Sequence, residues 1–169
     1  MKRVISILVP TYNEEENVEP LSEAIIKEVE DSLPQYDYEL VFIDNASSDL
    51  TRPKIRALCE NNPKIKAIFN AKNFGQFNSP YYGLLQTNGD CTILMCADFQ
   101  DPINMIPKFV HEWEQGNKIV IGIKSKSKES KIMYFLRSCH YKMSKKMSSV
   151  EQIEHFTGSG LYDRESINV

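Results

Sequence analysis

Short apolar runs alternate with amphipathic stretches along this chain, and that alternation constrains its fold more than any other feature. Val4–Val9 is continuously apolar apart from Ser6, is rich in β-branched residues, and is closed by Pro10. Such a run fits a strand buried on both faces. Over 17–32 an apolar stripe of Val18, Leu21, Ile25, Ile26 and Val29 predicts a helix, with Pro34 beyond its end. Leu40–Ile43 and Ile65–Phe69 read as the second and third strands. Between them, Ile55, Leu58 and Cys59 mark a helix capped by Thr51 and stopped at Asn61, Asn62 and Pro63. Ser79–Thr87 is expected to be a short helix opened by Pro80, followed by a strand at Thr92–Cys96, a helix at Met105–Trp113 and a strand at Ile119–Ile123. Repeated βα units with short connections define an α/β fold, a mostly parallel sheet flanked by helices.

The 169 residues are enough for one sizeable core. Lys and Arg total 20 against 23 Asp and Glu, a formal net charge of -3. That balance argues against nucleic acid as a partner, since dedicated binders carry a basic excess. Cys59, Cys91, Cys96 and Cys139 form no CxxC pair, so neither a zinc knuckle nor a dithiol redox site is indicated. A reducing compartment suits them. No apolar stretch approaches the roughly 18 residues of a membrane span, and the N-terminus does not read as a signal peptide. The charge is uneven, however. Lys124 to Lys146 holds eight Lys and Arg and one acid, Glu129, with apolar residues three or four apart. This predicts a basic amphipathic helix, either a solvated face or one lying against anionic lipid.

Ligands of open parallel sheets bind beyond the C-terminal strand ends. Polar clusters follow the strands there: Pro10-Thr11-Tyr12-Asn13-Glu14, Asp44 to Asp49, and Asp98-Phe99-Gln100-Asp101-Pro102. Carboxylates gathered with amides suit a hard divalent ion that bridges phosphate oxygens. Asp98 is the leading metal candidate, with Gln100 and Asp101 beside it. The same tetrapeptide can instead form a turn or helix cap, and Asp44 can either accept from a ligand or cap backbone N–H groups. Lys72 and Asn73 follow the third strand and can reach a diphosphate. Glu15 and Glu16 read as the solvated first turn of a helix. No G-x-G-x-x-G fingerprint or phosphate loop occurs. His111, His140 and His155 offer no triad with Ser6 or Ser159.

Five segments occur in an order that resembles family 2 glycosyltransferases. They are Val9-Pro10-Thr11-Tyr12-Asn13-Glu14-Glu15, Phe42 through Asp49, Asn73-Phe74-Gly75-Gln76, Ala97 through Pro102, and Gly160-Leu161-Tyr162-Asp163-Arg164. The nearer likeness is to the bacterial branch related to dolichol-phosphate mannose synthase and polyprenyl-phosphate sugar transferases. The resemblance implies a GT-A nucleotide-diphospho-sugar transferase fold. It also implies inverting, metal-dependent transfer of a sugar to a saccharide or polyprenyl-phosphate acceptor, in envelope polysaccharide or glycolipid assembly. Pro10, Thr11, Tyr12, Glu14, Asp44 and Asn73 would hold the donor, preferably a UDP-sugar, with Asp44 facing the base. Asp98, Gln100 and Asp101 would hold Mg²⁺ or Mn²⁺, and Asp98 and Asp163 would be catalytic.

The sequence departs from that pattern in two places. Cys96 stands where relatives carry the first Asp of D-x-D, and cysteine is a poor ligand for Mg²⁺. Ahead of Asp163, His155 and Gly158 stand where relatives often have acids. An alternative is therefore an impaired domain that binds a nucleotide or a protein. The expected organisation is a single catalytic domain over 1–169, shortened on its acceptor side. It would work in the cytoplasm at the inner face of the bacterial membrane, touching anionic lipid through the 124–147 segment.

Overall fold

The computed structural model describes residues 2–123 and 156–168, the side chains of 156 and 157 excepted. Two compact units divide the chain, residues 1–121 with 158–169, and residues 122–157. The first holds the elements discussed here. The predicted basic helix and His155 lie outside the described residues.

The order is β1 (Val4–Thr11), α1 (Val18–Ser32), β2 (Asp37–Asp44), α2 (Thr51–Asn61), β3 (Ile65–Phe69), α3 (Gly75–Gln86), β4 (Cys91–Leu94), α4 (Met105–Glu114), β5 (Ile119–Ile123), β6 (Phe156–Asp163) and α5 (Arg164–Ile167). The sheet runs β3-β2-β1-β4-β6-β5. β1 pairs in parallel with β2 and β4, and β2 with β3. Parallel pairing brings the ends of β1 and β2 level, with Thr11 beside Asp44. The loops expected to converge therefore leave the same edge.

Side-chain alternation gives the sheet two unequal faces. Ile5, Ile7 and Val9 of β1, with Tyr38, Leu40 and Phe42 of β2, join the main core. α1 supplies Val18, Leu21, Ile25 and Val29, α2 supplies Ile55, and α4 supplies Ile106, Phe109, Val110 and Trp113. The other face carries the small cluster of Leu8, Val41 and Ile43, with Leu84 of α3 against it. α3 approaches closely because of Gly83, where a Cβ would stand 2.9 Å from Leu8 Cδ1.

Three elements differ from the sequence reading. Thr51 is the first residue of α2 rather than its cap: the N-cap position is Leu50, Asp49 Oδ1 accepts the Thr51 N–H at 3.0 Å, and Thr51 Oγ1 accepts from Glu14 N at 2.8 Å. α3 begins at Gly75 and carries Pro80 inside it rather than at its start. The largest difference is β6, which the sequence reading passed over. It runs antiparallel to β4, with Cys91 opposite Asp163 and Leu94 opposite Gly160. Its glycines hide the strand signal, yet Gly160 is required, because a Cβ there would meet Val120 O at 2.8 Å.

Candidate functional site

The C-terminal edge is built by three loops, and each contains a non-glycine residue in the left-handed region: Asn13 (φ 56), Ala46 (φ 67) and Phe99 (φ 55). Such strain persists only where the surroundings over-determine it, and it clusters at functional sites. Here side chains lock the first two loops together. Asn13 N donates to Ser47 Oγ at 2.9 Å, and Ser48 N donates to Asn13 Oδ1 at 2.9 Å. Glu15 N donates to Asp49 Oδ2 at 3.2 Å, and Leu50 N to Glu15 Oε2 at 2.8 Å.

Asp44 ends β2 with its side chain fully buried. Its Oδ2 accepts from Ala46 N at 3.1 Å and Ser47 N at 3.2 Å, and pairs with Arg52 Nε. The Arg52 guanidinium also donates to Asn70 O and lies 5.6 Å from the Phe69 ring centroid. Asp44 Oδ1, by contrast, is buried with no hydrogen-bond partner among the described residues. A buried carboxylate oxygen left unpaired is costly, and a ligand N–H or O–H is the group that would satisfy it.

The loop after β3 is tied to the same place. Asn45 Nδ2 donates to Asn73 Oδ1 at 2.9 Å, and Asn45 Oδ1 accepts from Phe74 N at 2.8 Å. Asn70 Nδ2 donates to Ser79 Oγ at 2.9 Å. The pairing of Arg52, Asn45 and Asn70 with this loop escapes the sequence, since each partner lies across a turn. The faint signal was a lone Arg eight residues after Asp44.

Of the donor-binding candidates, Pro10, Thr11, Tyr12 and Asp44 stand together at this edge, with Thr11 buried and Tyr12 exposed. Asn73 joins them through Asn45. Glu14 is turned toward the start of α1, where its Oε2 accepts from Asn17 Nδ2 at 2.7 Å. A cavity of about 240 Å³ lies on that side, lined by Asn13, Glu14, Glu15, Glu16, Asn17 and Asp49. Its carboxylates would repel a diphosphate, so the chemistry points to Asp44 instead. Lys72 is exposed, with Nζ 5.3 Å from the Phe74 ring centroid.

Asp98 and Gln100 are exposed in the loop after β4, and Asp98 Oδ1 accepts from Gln100 N at 3.1 Å. Asp101 is buried instead, and its Oδ2 accepts the Ser159 hydroxyl of β6. Among the described residues no three His, Cys, Asp or Glu side chains are grouped to hold a metal. A closed protein cage is thus not what these residues form. A hard ion that takes one or two carboxylates and fills its remaining positions with phosphate and water requires no cage. Exposed Asp98 fits that mode.

Asp163 is not brought to this edge. Because β6 is antiparallel, its end lies beside Cys91, at the start of β4 and the opposite side of the sheet. There Asp163 accepts from Trp113 Nε1 at 2.7 Å and from Glu165 N at 3.0 Å. Arg164 donates to Gly89 O at 2.8 Å and Thr87 Oγ1 at 3.0 Å. The Leu161-Tyr162-Asp163-Arg164 stretch thus clamps β6 to α4 and the start of β4, and Asp163, expected from the resemblance to be catalytic, stands at the other end of the strands from Asp44. The Trp113 hydrogen bond, then the Glu165 N–H and nearby Lys118 and Arg3, outweigh desolvation and hold its carboxyl below the ordinary 3.8. A lowered folded-state value means the unfolded chain takes up the proton first. The stability from Asp163 is therefore present above its unfolded value and lost as pH falls through the folded one. Asp163→Asn should cost about 1–3 kcal/mol at neutral pH, and progressively less as pH falls below 3.8 through the lowered folded-state value. Urea unfolding at neutral pH and across that fall checks this, and UDP binding should not change.

The chain belongs to glycosyl transferase family 2, whose family description matches residues 6–165. The bactoprenol glucosyl transferase of Shigella phage SfX is 32% identical over 164 residues, covering 96% of this chain and 53% of that protein. The dolichol-phosphate mannosyltransferase of Pyrococcus furiosus is 34% identical over 118 residues, 70% of this chain and 32% of that one. Among solved structures, glucosyl-3-phosphoglycerate synthase from Mycobacterium tuberculosis, in complex with Mn²⁺, UDP-glucose and phosphoglyceric acid, superposes with a TM-score of 0.65. It is 23% identical, covering 96% of this chain and 57% of that one. The fold is the expected GT-A arrangement. The chain spans about half the length of the curated relatives it matches.

Proposed function

We propose that this chain carries the donor-binding half of a glycosyltransferase that moves a sugar from a nucleotide-diphospho-sugar, preferably a UDP-sugar, to a polyprenyl phosphate or saccharide. The observation that carries the proposal is Asp44 Oδ1, buried at the strand edge and unpaired among the described residues. The imide N–H of uracil is a donor of the right polarity for it. Arg52 and the Ala46 and Ser47 N–H groups hold the other oxygen and fix its aim. Pro10, Thr11, Tyr12 and Asn73 would enclose the nucleoside. Asp98, with Gln100 beside it, would hold Mg²⁺ or Mn²⁺, which supplies positive charge to the diphosphate when bound.

The transfer would be a single in-line displacement. An acceptor oxygen forms the bond to the anomeric carbon as the bond to the diphosphate oxygen breaks, and the configuration inverts. A phosphate acceptor is already ionised and requires no carboxylate base. Similarity to the bactoprenol and dolichol-phosphate enzymes favours that acceptor and a site of action at the inner face of the bacterial membrane, with the basic 124–147 segment against anionic lipid. A nucleotide- or protein-binding module without turnover is the second reading. It is favoured by Cys96 at the D-x-D position and by the lack of a carboxylate cage among the described residues. The discriminating assay incubates the full chain with a panel of radiolabelled sugar nucleotides, Mn²⁺ and undecaprenyl phosphate in detergent. Labelled lipid supports transfer, whereas nucleotide binding with no turnover of any donor supports the module.

A further inference from the structure

α3 is built the wrong way round for a helix whose outer face meets only water. Its buried residues are Ser79 and Gly83, four apart, with little apolar surface between them. Its large residues face out: Phe77 is 78% exposed, Tyr81 63% and Leu85 44%, again at four-residue spacing, with Tyr82 beside them. These share one helix face. Ordinary surface helices do the reverse, and a contiguous apolar patch of this kind marks an interaction surface.

Charge identifies the occupant. α3 has no charged residue, and from Asn61 to Gly89 the chain has no Asp or Glu, although it carries 23 in all. Lys72 stands just ahead of the helix and is exposed. In a protein of net charge -3, the stretch that contains α3 thus brings no carboxylate of its own to be repelled by an anionic bilayer. Phenylalanine, tyrosine and leucine with a flanking lysine are also the residues that seat in the lipid headgroup boundary. The helix begins in the loop that Asn45 and Asn73 tie to the Asp44 edge, so the end of α3 that carries Phe77 starts from the edge at which a membrane-borne acceptor would arrive.

We infer that the Phe77-Tyr81-Leu85 face of α3 docks on the surface of an anionic bilayer. This rests on the polyprenyl-phosphate reading above, and adds to it a membrane contact separate from the basic 124–147 segment. The full chain is floated with vesicles of equal parts phosphatidylglycerol and phosphatidylcholine, at low salt and in 1 M salt, where the Debye length is about 3 Å and basic contacts are screened. Phe77→Ser combined with Tyr81→Ser should lower partitioning about tenfold at both salts. Melting temperature, UDP binding and transfer to acceptor dispersed in detergent should be retained. Equal partitioning of variant and wild type overturns the inference while leaving donor chemistry standing. So does a melting temperature that collapses, which would make the face interior. Concentration-dependent dimers of the wild type that the variant loses would overturn it too, giving the face to a second copy. Loss of UDP binding in the unsubstituted chain would instead defeat the functional reading itself.

Discussion

Asp44→Asn should weaken UDP binding by about a hundredfold or more while raising the affinity for CDP relative to UDP. The substitution keeps the shape of the side chain. Its carbonyl oxygen can still take the Arg52, Ala46 and Ser47 donors that Asp44 Oδ2 takes now. At the position of Oδ1, however, an acceptor becomes an NH₂ donor. Uracil presents an N–H there, and two donors then face each other. Cytosine presents a ring nitrogen that accepts. A buried polar group left unpaired discriminates far more strongly than a change of size, by about 10⁴-fold or more in favourable sites. The smaller figure allows for relaxation of the loop. Isothermal titration of UDP and CDP against both proteins measures the effect. If the variant binds UDP as the wild type does, Asp44 does not read the base. Alanine is a poorer choice, because it strands the Arg52 cation, which is only 30% exposed, at a cost to stability of up to about 3–5 kcal/mol.

The second large effect concerns Asp98. Asp98→Ala should abolish the gain in UDP affinity that Mn²⁺ confers and leave metal-free binding unchanged. One charged contact is worth about 1.5–3 kcal/mol, so the metal-dependent gain should fall by about ten- to a hundredfold. Stability should change little, since the side chain is exposed and its one partner among the described residues is the Gln100 N–H. Titrations with Mn²⁺ and with chelator separate the two terms. Asp101→Ala is a useful contrast. That carboxylate is buried against Ser159, so the variant should lose stability as well as binding. An unchanged Mn²⁺ effect in Asp98→Ala would remove Asp98 from the metal.

Much of this arrangement can be read from the residues. The Val4–Val9 run and the stripe from Val18 to Val29 state their structure through periodicity, because burial alone decides those positions. Polar clusters immediately after strands disclose the ligand edge, since parallel strands must end on the same side. What the sequence conceals is what tertiary contact decides. β6 is a strand despite Gly158 and Gly160, and Gly160 is there to let Val120 O come close. The family resemblance alone makes Asp163 a catalytic candidate, because no local pattern shows which way its segment runs. Because β6 runs antiparallel to β4, Asp163 lies beside Cys91 at the start of β4, where its geometry is that of a helix cap. α3 has too weak an inward stripe for its start to be placed, since Ser79 and Gly83 do its packing. Arg52 and Asn45 meet their partners across turns, and no local pattern reports such pairing.

The most direct test of the central claim, that the edge around Asp44 and Asp98 holds a nucleoside diphosphate, is a calorimetric titration of the unsubstituted full chain with UDP, with and without Mn²⁺. One UDP per chain, bound more tightly when the metal is present, is the result expected. Failure of UDP, GDP, ADP and CDP alike to bind under either condition would contradict it.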